Sequence, residues 1–276
     1  MDFLFCFRMV VCYFRHTMAT PFRITPNPNS LYLTDGLKAV LHKCRYTIDE
    51  RQGLSCILGD FGLGKSTVLR YLFAEFDARE DTRAILIATP IYPSAFALLK
   101  AICQNLELES ARSFQAQMAL LETFLVEQFA NGKNTIIFID EAQILDTKQL
   151  ELLRAILNFE TNEEKLVQII LGSQLELAIK LNHKRNRALQ SRITTNSVLK
   201  PLTEVETGEV IAARCQLASI DNPFTPAHVA KIFELTDGIP RSVIKLCGLI
   251  YAMKESIGAD EIPLAWISEF TSEVGL

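Results

Sequence analysis

Residues 59–67, Gly59-Asp60-Phe61-Gly62-Leu63-Gly64-Lys65-Ser66-Thr67, carry the chain's clearest chemistry. Their spacing, Gly59-x-x-x-x-Gly64-Lys65-Ser66, suits a polyphosphate. Three glycines let the backbone turn its N–H groups inward around an anion. The Lys65 ammonium then reaches the β- and γ-phosphates of a nucleoside triphosphate such as ATP, and the Ser66 hydroxyl gives an oxygen to Mg2+. An acidic pair, Asp140-Glu141, closes an apolar run further along the chain. Asp140 is placed to coordinate Mg2+, and Glu141 to orient and deprotonate an attacking water. An Asp-Glu pair alone is an ordinary polar strand end. The phosphate loop upstream is what turns it into a catalytic reading.

Such residues need rigid elements behind them. The apolar run 54–58 leads into the loop as a buried strand, and 67–73 leads out as a helix with its N-terminus toward the anion. Further apolar runs predict strands over 84–88, 135–141 and 166–173, with a more polar fifth over 194–199. Helical spacing marks 37–48, 94–108, 113–130, 147–158 and 175–192. Strands alternating with helices give an α/β fold with a parallel sheet covered on both faces. From about 203 the pattern is helical only. Thr225-Pro226 reads as an N-cap with proline at the first helical position, and another helix fits about 240–255. The division predicted is an N-terminal extension, 1–19, a nucleotide-binding core, 20–202, and a small helical domain, 203–276.

With 276 residues and 22% of them charged, the chain has room for a sizeable core and none of the marks of a disordered one. Its net charge of −4 gives no global argument for nucleic acid. Seven cysteines show no CxxC and no Cys/His cluster, and Cys56, Cys103 and Cys247 lie in apolar runs. They read as reduced, buried thiols of a cytoplasmic protein. Residues 1–14 are apolar but too short to span a bilayer, and Arg8 interrupts them. With Met18 opening more ordinary sequence, 1–17 are expected to be a peripheral extension or an upstream start. No stable membrane insertion is expected.

Three positions are weaker. Ser173 ends the fourth strand, where it would hold the water or the γ-phosphate; Gln174 would serve equally, and a helix N-cap is nearly as good a reading of Ser173. Arg192, in Ser191-Arg192-Ile193, would reach a neighbouring subunit's γ-phosphate as an arginine finger, although spacing alone makes it a surface arginine in a basic stretch. Arg241, in Gly238-Ile239-Pro240-Arg241, would face a phosphate from the start of a helix.

Together, Gly59 to Thr67, Asp140-Glu141-Ala142-Gln143, the polar residue after Leu171-Gly172, Ser191-Arg192 and Gly238 to Arg241 resemble AAA+ ATPases of the initiator-like branch. Within it the chain is similar to the ATPases named after the secretion protein ExeA and to the transposition regulators TnsC and TniB. The opening segment Pro21-Phe22-Arg23-Ile24-Thr25-Pro26-Asn27-Pro28 is similar to the start of ExeA-type chains. The resemblance covers about residues 20–255. It implies a P-loop AAA+ three-layer core whose five-stranded parallel sheet runs 5-1-4-3-2, with a helical lid. It also implies Walker A at 59–66, Walker B at Asp140 and Glu141, sensor 1 at Ser173 or Gln174, an arginine finger at Arg192 and sensor 2 at Arg241.

Two functions follow. One is a homo-oligomeric ring or filament that ATP assembles on duplex DNA, serving a transposase, with the basic stretch 180–187 as a backbone-directed contact. The other is an assembly ATPase acting on protein partners in secretion or envelope construction. ExeA-type chains continue into a membrane segment and a peptidoglycan-binding domain, neither of which is in this sequence, and that favours the first.

Overall fold

The computed structural model describes residues 21–25 and 27–271; the expected extension over 1–19 lies outside them. The chain divides into a sheet-bearing unit, residues 27–200, and a helical unit made of 21–25 with 201–271.

In the sheet-bearing unit, α1 (Asp35–Asp49), β1 (Leu54–Leu58), α2 (Lys65–Asp77), β2 (Thr82–Ile87), α3 (Ala95–Asn105), α4 (Phe114–Ala130), β3 (Asn134–Ile139), α5 (Thr147–Ile156), β4 (Val167–Ser173), α6 (Glu176–Asn182), α7 (Arg187–Gln190) and β5 (Ile193–Val198) follow one another. All four strand pairings are parallel, in the order β2-β3-β4-β1-β5. This is the 5-1-4-3-2 order that the resemblance implies. The three inner strands, β1, β3 and β4, are buried at every position, which is why they read as unbroken apolar runs rather than alternating ones. β5 is an edge strand buried only at Ser197, and its sequence is correspondingly polar.

Alternate residues of each strand feed opposite faces. Cys56, Ile137, Ile139, Ile169 and Leu171 pack with Leu98, Leu99, Leu121, Leu125 and Leu153 of α3, α4 and α5. Ile57, Ile136, Phe138 and Ile170 pack with Leu41 and Ile48 of α1 and with Val68, Leu72 and Phe76 of α2. Two cores on one sheet make the three layers. The five cysteines among the described residues are buried free thiols, and burial pushes Cys44 up to about 11 and Cys56 to about 12.

The segment 175–192 is not the single helix that its periodicity predicts. His183 takes an extended conformation, ψ 141°, and splits it into α6, a 3-10 turn (Lys184–Asn186) and α7. Asn186 Nδ2 holds the break by donating to the Lys180 carbonyl at 2.8 Å.

The helical unit holds α8 (Glu204–Leu217), α9 (Pro226–Thr236), α10 (Pro240–Ile257) and α11 (Leu264–Thr271). Thr225 caps α9 through a reciprocal bond with His228, and Pro226 takes its first position. Phe22, from the opening segment, lies edge-on to Phe224 and Tyr251 in a core with Ile232, Leu246 and Ile267. That contact explains why 21–25 groups with the C-terminal helices.

Candidate nucleotide site

The loop between β1 and α2 turns on Gly62 (φ 76°) and Gly64 (φ 91°), both in the left-handed region where a Cβ is strained. Gly64 is the N-cap of α2, so the free N–H groups of that helix open toward the loop's centre. Gly59 is tied to the neighbouring strand by its N–H to the Ser173 carbonyl at 3.2 Å. Leu63 is buried in the α2 face, while Asp60 and Phe61 are exposed and the Asp60 carboxylate accepts from the Phe61 N–H at 2.7 Å. Lys65 is only 6% exposed. Its ammonium donates to the Gly59 carbonyl at 3.0 Å and the Asp60 carbonyl at 2.8 Å, bridging the loop's mouth. Ser66 and Thr67 are half-buried in the first turn of α2.

Asp140 extends β3, its N–H reaching the Ile87 carbonyl at 2.9 Å. The end of β3 and the first turn of α2 bring the Asp140 carboxylate close enough to the Ser66 hydroxyl and the Lys65 ammonium for both to act on its charge. Burial holds the Asp140 carboxyl above its ordinary value, helped by the Glu141 charge. The Ser66 hydroxyl, the Glu141 N–H and the Lys65 charge pull the other way. A hydroxyl and a carboxylate are the hard oxygen donors that Mg2+ takes from a protein, its other positions going to phosphates and water. Among the described residues no group of three or more His, Cys, Asp and Glu gathers into a fuller metal cage. The residues present therefore fit Mg2+ held jointly with a phosphate chain.

The raised Asp140 value has a consequence for stability. The charged carboxylate costs the fold stability at neutral pH, and the cost disappears as pH falls below the unfolded-state value. In EDTA, Asp140→Asn is expected to raise Tm at neutral pH, by about 2–4 °C for each kcal/mol gained, with the gain shrinking toward acid pH. Thermal melts across pH check this; a lower Tm at neutral pH contradicts it.

Glu141 follows with φ 52°, left-handed for a residue with a Cβ, and enters a 3-10 turn (Ala142–Ile144). Its carboxylate accepts from Gln143 Nε2. The other end of the Gln143 amide accepts from the Ser173 hydroxyl at 3.0 Å and from the Gln174 N–H at 3.2 Å. Ser173 is fully buried at the end of β4, whereas the Gln174 side chain lies outside that strand. In the sequence Gln143 stands out only as the last residue of Asp140-Glu141-Ala142-Gln143. Its role depends on a bond across two strands, β3 and β4, that no spacing along the chain reveals.

Gly172, one residue earlier, permits this closeness. A Cβ there would lie 1.9 Å from Leu69 Cδ1 and 3.1 Å from Asp140 Oδ1. Gly172→Ala is expected to destabilise the fold by about 1–3 kcal/mol through overpacking. Urea denaturation measures it, and an unchanged midpoint would remove the packing claim.

Arg192 stands elsewhere. It precedes β5, level with the start of β1, since Leu54 pairs with Ile193. The phosphate loop leaves the opposite end of β1, about five residues or ~17 Å away. Arg192 lines an open cavity of about 320 Å³ with Lys165, Ser191 and Thr194, and donates to the Arg154 carbonyl at 3.3 Å. Arg241 is exposed in the first turn of α10, in the helical unit. Gly238 sets up that turn: at φ 65°, a Cβ on it would come within 2.1 Å of the Leu202 carbonyl oxygen. The basic stretch 180–187 is not one surface. Lys180 spends its ammonium on the Gln143 and Leu145 carbonyls, pinning the turn after β3, and only Lys184, Arg185 and Arg187 remain exposed.

A parallel sheet of this order, with a glycine loop at one strand end and an acid pair at the next but one, defines the P-loop AAA+ fold, whose members are ATP-hydrolysing domains. Residues 48–181, just under half of the chain, match the family described as "AAA domain".

It is homologous to General secretion pathway protein A of Aeromonas hydrophila, with 33% identity over 232 residues. The match takes in 82% of this chain and 42% of that one, so the chain spans less than half of this relative's length. Among solved structures it is similar to Aeropyrum pernix ORC2 in its ADPNP-ADP complexes (TM-score 0.72, 16% identity, 94% of this chain and 72% of that one). It is also similar to A. pernix ORC1 in complex with DNA (0.67, 15%, 92% and 69%). A third likeness is to the Thermotoga maritima RuvB Holliday junction branch migration motor (0.57, 20%, 86% and 68%). At these identities the structural likenesses show a shared fold.

Proposed function

We propose that the chain binds ATP with Mg2+ at Gly59 to Thr67 and hydrolyses it as part of a homo-oligomer. The observation that carries this is the Lys65 ammonium bridging the mouth of the glycine loop, with Ser66 and the Asp140 carboxylate beside it and Glu141 one residue further on. In this reading Lys65 exchanges the Gly59 and Asp60 carbonyls for the β- and γ-phosphate oxygens, and the loop's N–H groups fix the rest of the chain of phosphates. Mg2+, held by Ser66 and Asp140, neutralises charge on the phosphate oxygens when bound. Glu141 orients the water and takes its proton. Ser173 senses the γ-phosphate, Arg241 contributes from the helical unit, and Arg192 serves the site of a neighbouring subunit.

Lys65→Ala tests the binding step. Losing a charge-assisted bond of about 1.5–3 kcal/mol to the phosphates should weaken ATP by at least tenfold in isothermal titration. Unchanged affinity rejects this site.

For the partner, the extended identity with General secretion pathway protein A favours an assembly ATPase acting on protein components. We place it in the cytoplasm, where ATP is available and where buried free thiols persist. Among the described residues no helix is long and apolar enough to cross a membrane. The second reading, a switch on duplex DNA serving a transposase, is supported by the exposed Lys184, Arg185 and Arg187 and by the likeness to ORC1 in complex with DNA. Fluorescence anisotropy with labelled duplex at low salt separates them. Binding that strengthens with a non-hydrolysable ATP analogue favours the DNA switch, and none under any nucleotide condition eliminates it.

A further inference from the structure

The Gln143 side chain bonds at both ends to residues that the proposed mechanism uses separately. Its orientation is fixed. The Gln174 backbone N–H can only donate, so the amide end facing it is the oxygen, Oε1. The end facing Glu141 is then the NH2 group, which donates to the carboxylate. Because Oε1 only accepts, the Ser173 hydroxyl must donate to it, at 3.0 Å. Ser173 also pairs with Leu58, the last residue before the phosphate loop, and its carbonyl receives the Gly59 N–H. The proton pointed at Gln143 therefore lies next to where a γ-phosphate would enter.

We propose that Gln143 is a positioning residue that couples the γ-phosphate to the general base. While Ser173 donates to Gln143, the amide is held by three bonds and keeps the Glu141 carboxylate turned onto it. A γ-phosphate is a charged acceptor and draws the Ser173 proton more strongly than a neutral amide oxygen does. Oε1 then keeps a single donor, and the side chain swings and releases Glu141 to the water. A side-chain rotation is enough, because Lys180 clamps the backbone through the carbonyl of Gln143 itself and that of Leu145, two residues on, and Asp146 caps α5 immediately beyond. The inference rests on Ser173 as the γ-phosphate sensor and Glu141 as the base.

The test is isothermal titration of the full chain with Mg2+ and either ADP or a non-hydrolysable ATP analogue. In the wild type the triphosphate must break the Ser173–Gln143 bond, and the diphosphate need not. Gln143→Leu removes that bond, so it should raise the ratio of analogue affinity to ADP affinity about fivefold, the worth of one hydrogen bond, with ADP affinity unchanged. Ser173→Ala should lower the same ratio. Damage to packing would weaken both nucleotides alike and leave the ratio where it was. A ratio that is unchanged or lower in Gln143→Leu, with Ser173→Ala behaving as expected, overturns the coupling alone. A ratio unmoved by Ser173→Ala overturns the sensor assignment and the coupling with it. If Gln143→Leu fails to bind ADP, Gln143→Asn carries the same expectation, since its shorter amide cannot span Ser173 and Glu141 together.

Discussion

Arg192→Ala is expected to leave ATP binding intact and to lower steady-state ATP turnover by about a thousandfold or more, the range of arginine fingers supplied from outside the site. The reason is positional. Arg192 sits at the start of β5, level with Leu54, while the phosphate loop leaves the far end of β1. With ~17 Å of strand between them, no side-chain rotation brings its guanidinium to its own subunit's γ-phosphate. If it acts on ATP, it acts on a neighbour's. A coupled-enzyme turnover assay, paired with isothermal titration of the same variant, separates the two effects. Normal turnover would remove Arg192 from the mechanism, and lost binding would show that its contact with the Arg154 carbonyl is structural instead.

Glu141→Gln should also bind ATP and hydrolyse it roughly a hundred- to ten-thousandfold more slowly, since an amide keeps the shape but cannot accept the water's proton. Glu141 has φ 52°, a conformation that costs a residue with a Cβ of order 1–3 kcal/mol. A strained backbone at the end of a fully buried strand aims a side chain that would otherwise follow the strand's direction. The variant should accumulate ATP-bound protein, seen as nucleotide that co-elutes with it in gel filtration and remains unhydrolysed. Turnover near the wild-type rate would mean that another group activates the water.

The parts of this site that were legible in the sequence share a property: each is contiguous in the chain. Gly59 to Thr67 is one loop, and its glycines announce the left-handed turns found at Gly62 and Gly64. Asp140-Glu141 is the end of one strand, flagged by the change from Ile139 to an acid. The inner strands were legible because strands covered on both faces must be apolar throughout. Their order was not, since nothing in local sequence says that β4 inserts between β3 and β1; the family resemblance supplied it. The Gln143 bridge was hidden for the same reason, because it exists only after that insertion sets Ser173 beside the end of β3. The break at His183 was missed because the apolar spacing of α6 and α7 continues across it, through Leu181 and Leu189, while the backbone does not. Lys180 looked like part of a basic surface, and only its distances to two carbonyls show where its charge is used.

Mixing two inactive variants tests whether the hydrolytic site is completed by two subunits. Glu141→Gln keeps Arg192 to offer a neighbour, and Arg192→Ala keeps Glu141 in its own site. Mixed in equal amounts and allowed to exchange, they should recover roughly a quarter of wild-type ATP turnover, since one head-to-tail interface in four then joins an intact site to an intact arginine. A mixture no more active than the two variants measured separately would contradict the shared site.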